Sequence, residues 1–120
     1  MAKILIIDDS PTEVHQLGGL LKKNGHDVSH AESGEAGIEA AEEQQPDVIL
    51  MDVVMPGLNG FQATRHLSKS EKTGHIPVII VSAKDQETDR VWGLRQGAKA
   101  FLTKPVSEKQ LMDTLGEVLS

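Results

Sequence analysis

Five polar residues stand directly after short apolar runs, and their chemistry is complementary. Asp8 and Asp9 follow "ILII", Asp52 follows "VILM", Ser82 follows "VIIV" and Lys104 closes "AFLT". Three carboxylates gathered in one volume repel one another. Two of them held about 4 Å apart cost about 4 kcal/mol at an effective dielectric of about 20. A bound cation turns that repulsion into affinity. Carboxylate oxygens without His or Cys select a hard ion, most naturally Mg²⁺. A hydroxyl and an ammonium beside such an ion suit a phosphoryl group, whose oxygens take hydrogen bonds and positive charge. A single Asp at a strand end commonly caps a helix or a turn. The argument for a site is the recurrence of matched chemistry at four strand ends.

For these residues to meet, the runs must be parallel strands of one sheet. Ile4–Ile7 reads as a strand buried on both faces, as do Val48–Met51 and Val78–Val81, with a weak strand near Val28 and a short one at Ala100–Leu102. Between them lie amphipathic stretches. Ser10 reads as an N-cap, Pro11 as the first helical residue and Glu13 as the partner closing a capping box. Val14, Leu17, Leu20 and Leu21 form the stripe of that helix, and Gly25 its stop. Gly18 and Gly19 sit inside it at about 1 kcal/mol each relative to Ala, which suggests close backbone packing. Further helices are expected near Glu35–Glu43, Phe61–Leu67 and Asp85–Gln96, the last ending at Gly97. Ser107 with Gln110 caps a final helix carrying Leu111, Met112, Leu115, Val118 and Leu119. Strand and helix alternate five times, which predicts an α/β fold with a parallel sheet covered on both faces. Ligand sites of such sheets lie beyond the carboxyl ends of the strands, where the five residues stand.

Composition excludes several classes. The chain has 120 residues, 38% hydrophobic and 25% charged, which fits one compact domain over 1–120 with no effector domain. A net charge of -6 argues against a nucleic-acid backbone or an anionic membrane as partner. Two Phe, one Trp and no Tyr leave no base-stacking platform, and the absence of Cys excludes thiolate chemistry. No run is long enough for a signal peptide or a membrane span, and a cytoplasmic location is the simplest reading. His15, His26, His30, His66 and His75 lack ligand spacing and read as solvated. Trp92 lies beside the Val91–Leu94 stripe, in a partly buried packing role. The acid-rich "AAEEQQPD" reads as a solvated helix end.

Taken together, "IDDS", "VILMDVVMPGLNG", "VIIVSAK" and "AFLTKP" resemble the receiver domain of bacterial two-component response regulators, over the entire chain. The resemblance implies a flavodoxin-like sheet of five parallel strands in the order 2-1-3-4-5 with five helices. It implies Asp52 as phosphoacceptor, Mg²⁺ bound by Asp9, Asp52 and the Val54 backbone carbonyl, and Asp8 acting mainly through water. Ser82 and Lys104 would hold the phosphoryl oxygens, and the bond before Pro105 would be cis. Phe101 takes the family's aromatic switch position, moving into space opened behind Ser82. Val54 and Lys84 flank the site where the family tunes hydrolysis. "DDSPTE", "GLNGFQATRHLSK" and "KDQETDRVWGLRQGA" are similar to single-domain regulators of type IV pilus twitching motility and chemotaxis-like signalling.

The implied partners are a chemotaxis-type sensor histidine kinase and a downstream protein. The latter would dock on the face formed by the Trp92 helix, the Phe101 strand and the last helix of a monomer. Such a protein assists its own phosphorylation and dephosphorylation but is not a turnover enzyme. It could also serve as a phosphate sink for a shared kinase. A Mg²⁺-dependent aspartyl phosphohydrolase is the rival from another class. Haloacid-dehalogenase-type phosphatases place an acid two residues after the nucleophile, and here that residue is Val54, which cannot protonate a leaving group. A nucleotide-binding protein is disfavoured because no Gly-rich phosphate loop follows the first strand.

Overall fold

The computed structural model describes all residues, 1–120. The strands are β1 (Lys3–Ile7), β2 (Asp27–Ala31), β3 (Val48–Met51), β4 (Val78–Ser82) and β5 (Ala100–Thr103). The helices are α1 (Pro11–Lys23), α2 (Gly34–Gln44), α3 (Gly60–Lys69), α4 (Glu87–Arg95) and α5 (Glu108–Leu119). All strand pairs are parallel, in the order β2-β1-β3-β4-β5. The expected fold class is therefore observed.

Strand alternation divides the core into two layers. Ile4, Ile6, Val48, Leu50, Ile79 and Val81 face Leu17 and Leu21 of α1 and Leu111 and Leu115 of α5. Leu5, Ile7, Ile49, Met51 and Ile80 face the opposite layer, with Ala41 of α2 and Ala63 and Leu67 of α3. Burial on both faces explains why these strands read as unbroken apolar runs.

Capping boxes set two helix starts, the one at α5 as the sequence predicts and the one at α3 beyond what it predicts. Ser107 and Gln110 form a reciprocal capping box at α5, and Asn59 and Gln62 form another at α3. Gly25 has φ +86°, a left-handed conformation suited to a chain reversal after α1.

Five expectations need correction. The capping box at α1 is only half formed: Glu13 N–H donates to Ser10 Oγ at 3.4 Å, whereas Ser10 N–H donates to Asp8 Oδ1 at 2.9 Å. The Glu13 carboxylate is thereby left free of its local role. Close packing does not explain the α1 glycines. A methyl at Gly18 would meet Val28 Cγ1 at an ordinary 3.8 Å, and one at Gly19 would meet nothing. Both instead line a groove of about 450 Å³ that also borders Asp8, Asp9, His15 and His30. Helix α4 starts at Glu87 rather than Asp85 and lacks a side-chain cap. Its apolar stripe is not buried: Val91, Trp92 and Leu94 are 43, 49 and 50% exposed. The buried α4 residue is Gly93, where a Cβ would approach Ile80 Cδ1 to 2.8 Å and Phe101 Cδ2 to 3.2 Å. Finally, His26 is not simply solvated, since its Nδ1 accepts from Ala2 N–H at 3.1 Å.

Candidate functional site

Backbone ladders carry the polar residues to one edge of the sheet. Asp8 N–H donates to Ala31 O at 3.1 Å and Asp52 N–H to Ile7 O at 2.9 Å, each one residue past its strand. Lys104 N–H donates to Ser82 O at 2.8 Å, which ties the end of β5 to the end of β4. The Lys104–Pro105 peptide is cis.

Asp8, Asp9 and Asp52 each present a carboxylate oxygen, and these atoms all lie within 4.8 Å of one another. Asp8 and Asp52 are buried and Asp9 is exposed. The Lys104 ammonium bridges the two buried acids, 3.1 Å from Asp8 Oδ2 and 3.1 Å from Asp52 Oδ1. It also lies 3.9 Å from Glu13 Oε2.

The charges are unequally satisfied. Burial pushes the Asp52 carboxyl above the ordinary carboxylate range; Lys104 pulls it down, and Asp8 raises it again. Burial alone would lower the Lys104 pKa, but the Asp52 charge and the hydrogen bonds to Asp8 and Asp52 raise it overall. The two directions agree with the geometry: one ammonium is held by two acids, and neither acid has it to itself. A cluster with excess negative charge and oxygen donors within 4.8 Å fits a divalent hard cation.

Ser82 is fully buried at the end of β4, and its Oγ accepts from Lys84 N–H at 3.1 Å. Val54 follows Asp52 in the loop with an exposed side chain, and Lys84 is exposed beyond Ser82. Phe101 is only 7% exposed. It lies beneath Gly93, with the Arg90 guanidinium carbon 5.3 Å from its ring centroid. Arg90 also donates to Phe101 O at 3.3 Å and to Thr103 Oγ1 at 3.0 Å. Phe101 is thus packed inward, against Gly93.

Sequence reading assigns Glu13 only a capping role and no role to Gly60, Arg90 or Gly93. Gly60 opens α3 directly against the backbone of Asp52 and Val53. The signal for it was its place at the end of "MPGLNG"; Arg90 and Gly93 carried none at the level of single residues.

A parallel sheet in this order, with an acidic cluster and a lysine at its carboxyl edge, defines a receiver-type phosphosignalling fold. The family model described as "Response regulator receiver domain" matches residues 4–116, and the chain belongs to that family. Receiver domains accept a phosphoryl group, pair with sensor histidine kinases and bind Mg²⁺ at an acidic cluster. The chain is 60% identical to Protein PilH of Pseudomonas aeruginosa over 120 residues, covering 100% of this chain and 99% of that protein. It is 41% identical to the response regulator PleD of Caulobacter vibrioides over 110 residues, 92% of this chain and 24% of that longer protein. Among solved structures, the chemotaxis protein CheY4 of Vibrio cholerae superposes with TM-score 0.92 at 28% identity, covering 99% of each chain. The receiver domain of a Pseudomonas aeruginosa sensor histidine kinase, solved with magnesium coordinated in its active-site cleft, gives 0.91 at 30% identity, covering 98% of this chain and 97% of that one. No helix is long and apolar enough to cross a membrane.

Proposed function

We propose that Asp52 accepts a phosphoryl group from the phosphohistidine of a sensor histidine kinase. The observation that carries this reading is the Lys104 ammonium held 3.1 Å from both Asp8 and Asp52 at the carboxyl edge of the sheet. An Asp52 carboxylate oxygen attacks phosphorus; the P–O bond forms as the P–N bond breaks, and the imidazole leaves with the electron pair. Lys104 meets the incoming phosphoryl oxygens with its charge, and the Ser82 hydroxyl donates to them. Asp9, Asp52 and the Val54 carbonyl would hold Mg²⁺, with Asp8 acting through water, and the ion would neutralise charge on the transferring group. The protein contributes position and charge, while the donor supplies the driving force.

Likeness to PilH supports a role in twitching-motility signalling, with a chemotaxis-type kinase as donor. Val54 two residues after Asp52 continues to disfavour a phosphohydrolase, for want of a general acid. Transfer from a panel of phosphorylated histidine kinases, followed over time, tests the reading and separates a signalling output from a phosphate sink. A target should slow or leave unchanged the loss of phosphoryl group in the first case, whereas a sink drains the kinase with no target present.

Metal binding gives a direct check. Wild-type protein should titrate with Mg²⁺ as a weak one-site binder, and Asp9→Ala should weaken that binding at least about tenfold, the lower end of what losing even an outer-shell partner costs. Equal titrations in the two proteins would remove Asp9 from the site.

Output is expected through α4, β5 and α5. Since Phe101 is already packed inward under Gly93, a shift of Ser82 reaches α4 through Ile80, Phe101 and the Arg90 strap. Beryllofluoride with Mg²⁺ should therefore change amide NMR shifts from Ser82 through Leu111, with smaller changes on α1 away from the site. Changes confined to the loops around Asp8 and Asp52 at full occupancy would move the output elsewhere.

A further inference from the structure

We propose that Glu13 is a positioning residue that receives the Lys104 ammonium when a divalent cation takes the Asp9 and Asp52 carboxylates. The inference rests on the reading of this cluster as a Mg²⁺ site. Lys104 holds one oxygen of the ligand Asp52, Oδ1, and one of its neighbour Asp8, Oδ2. An ion on the Asp52 carboxylate sets a like charge close to the ammonium, and that repulsion drives the ammonium away as the ion arrives. Lysine suits this exchange, being a compact charge on a four-carbon stem.

Glu13 is the carboxylate placed to receive it. Its Oε2 lies 3.9 Å from Lys104 Nζ, an ion-pair distance too long for a hydrogen bond. The ordinary local use of a Glu at this helix position is to accept from the N-cap N–H. Here Asp8 Oδ1 accepts from Ser10 N–H instead, and the Glu13 side chain makes no hydrogen bond of its own. Glu13 is 32% exposed and Lys104 14%, so the landing place is wetter than the site Lys104 leaves. A phosphoryl group on Asp52 must then draw Lys104 back from Glu13. Removing the Glu13 charge should consequently weaken Mg²⁺ and strengthen the phosphoryl contact.

Calorimetric Mg²⁺ titration of wild type, Glu13→Gln, Lys104→Met and the double variant tests the exchange. Glu13→Gln keeps the backbone N–H that donates to Ser10 Oγ, so the start of α1 is preserved. At low salt it should weaken Mg²⁺ about threefold to fivefold, the upper range of a partly exposed ion pair. In the Lys104→Met background the same substitution should change affinity by less than about 1.5-fold, the signature of coupling between the two residues. Equal weakening in both backgrounds would assign the effect to bare charge and overturn the exchange, as would no weakening beside an intact Lys104. Absence of Mg²⁺ binding by the wild type would overturn the metal reading of the cluster and this inference with it. NMR of the Lys104 side chain supplies a readout that needs no Lys104 variant. On adding Mg²⁺ its Nζ signal should stay protected from exchange in wild type and lose that protection in Glu13→Gln; identical behaviour would also overturn the proposal.

Discussion

Asp52→Asn protein treated with a small phosphodonor and Mg²⁺ should gain no phosphoryl group by intact-mass analysis. The wild type should gain one, labile to base and hydroxylamine as an acyl phosphate is. An adduct of equal yield on the variant would place the acceptor elsewhere. The same substitution should raise stability when Mg²⁺ is absent. Asp52 is buried near Asp8, and its folded-state pKa is raised above the ordinary value of 3.8. A carboxyl with a raised folded pKa loses stability as pH climbs from its unfolded value through its folded one. The cost grows as pH rises above the ordinary carboxylate value, and Asn removes it. We expect Asp52→Asn to be more stable near pH 7, with a higher Tm, and the advantage to shrink below the ordinary carboxylate value. Lys104 acts in the opposite sense: its raised folded pKa contributes stability that is complete below 10.5 and is lost at higher pH. Thermal melts of both proteins across pH, with and without Mg²⁺, separate the two contributions.

Gly60→Ala should be among the most damaging single-methyl changes in this chain. A Cβ there would overlap the Asp52 carbonyl oxygen and lie 2.7 Å from Val53 Cα. Both obstacles are backbone, so no rotamer change can relieve them. Gly60 N–H also donates to Val53 O at 2.9 Å, and Thr64 Oγ1 donates to Gly60 O at 2.7 Å, which pins the first turn of α3 in place. The helix must move away from Asp52 or the loop between them must shift. We expect a loss of about 3 kcal/mol or more in urea unfolding, together with weaker Mg²⁺ binding. Gly19→Ala is the control. It adds a methyl to an exposed position of α1 where nothing lies within 4 Å, and should gain about 0.5–1 kcal/mol through helix propensity. Equal effects at the two positions would reject the steric argument.

The strands and the acidic cluster were legible because their signals are local. An apolar run buried on both faces announces itself by composition, and the chemistry at its end sits one residue away. Asp8, Asp52 and Lys104 meet because β1, β3, β4 and β5 are parallel and in register, as the alternation with helices required. The caps at Ser107 and Gln110 were legible for the same reason, since partner and donor lie within one turn.

What the amino-acid order determined by itself is therefore the set of elements, their parallel arrangement and the residues delivered to one edge of the sheet. What the tertiary structure alone decided is which of two competing partners each side chain takes. Glu13 had a local partner in the Ser10 N–H, but Asp8 claimed that donor, and Lys104 from the far end of the chain became its neighbour. Helix α4 had an apolar stripe at Val91 and Leu94, yet it docks through Gly93, because a missing side chain lets the backbone reach Ile80 and Phe101. Hydrophobic periodicity registers side chains that are present, so a contact made through an absent one leaves no trace in it. The Arg90 strap over Phe101 follows from that close approach, which only the packing of α4 on β5 creates.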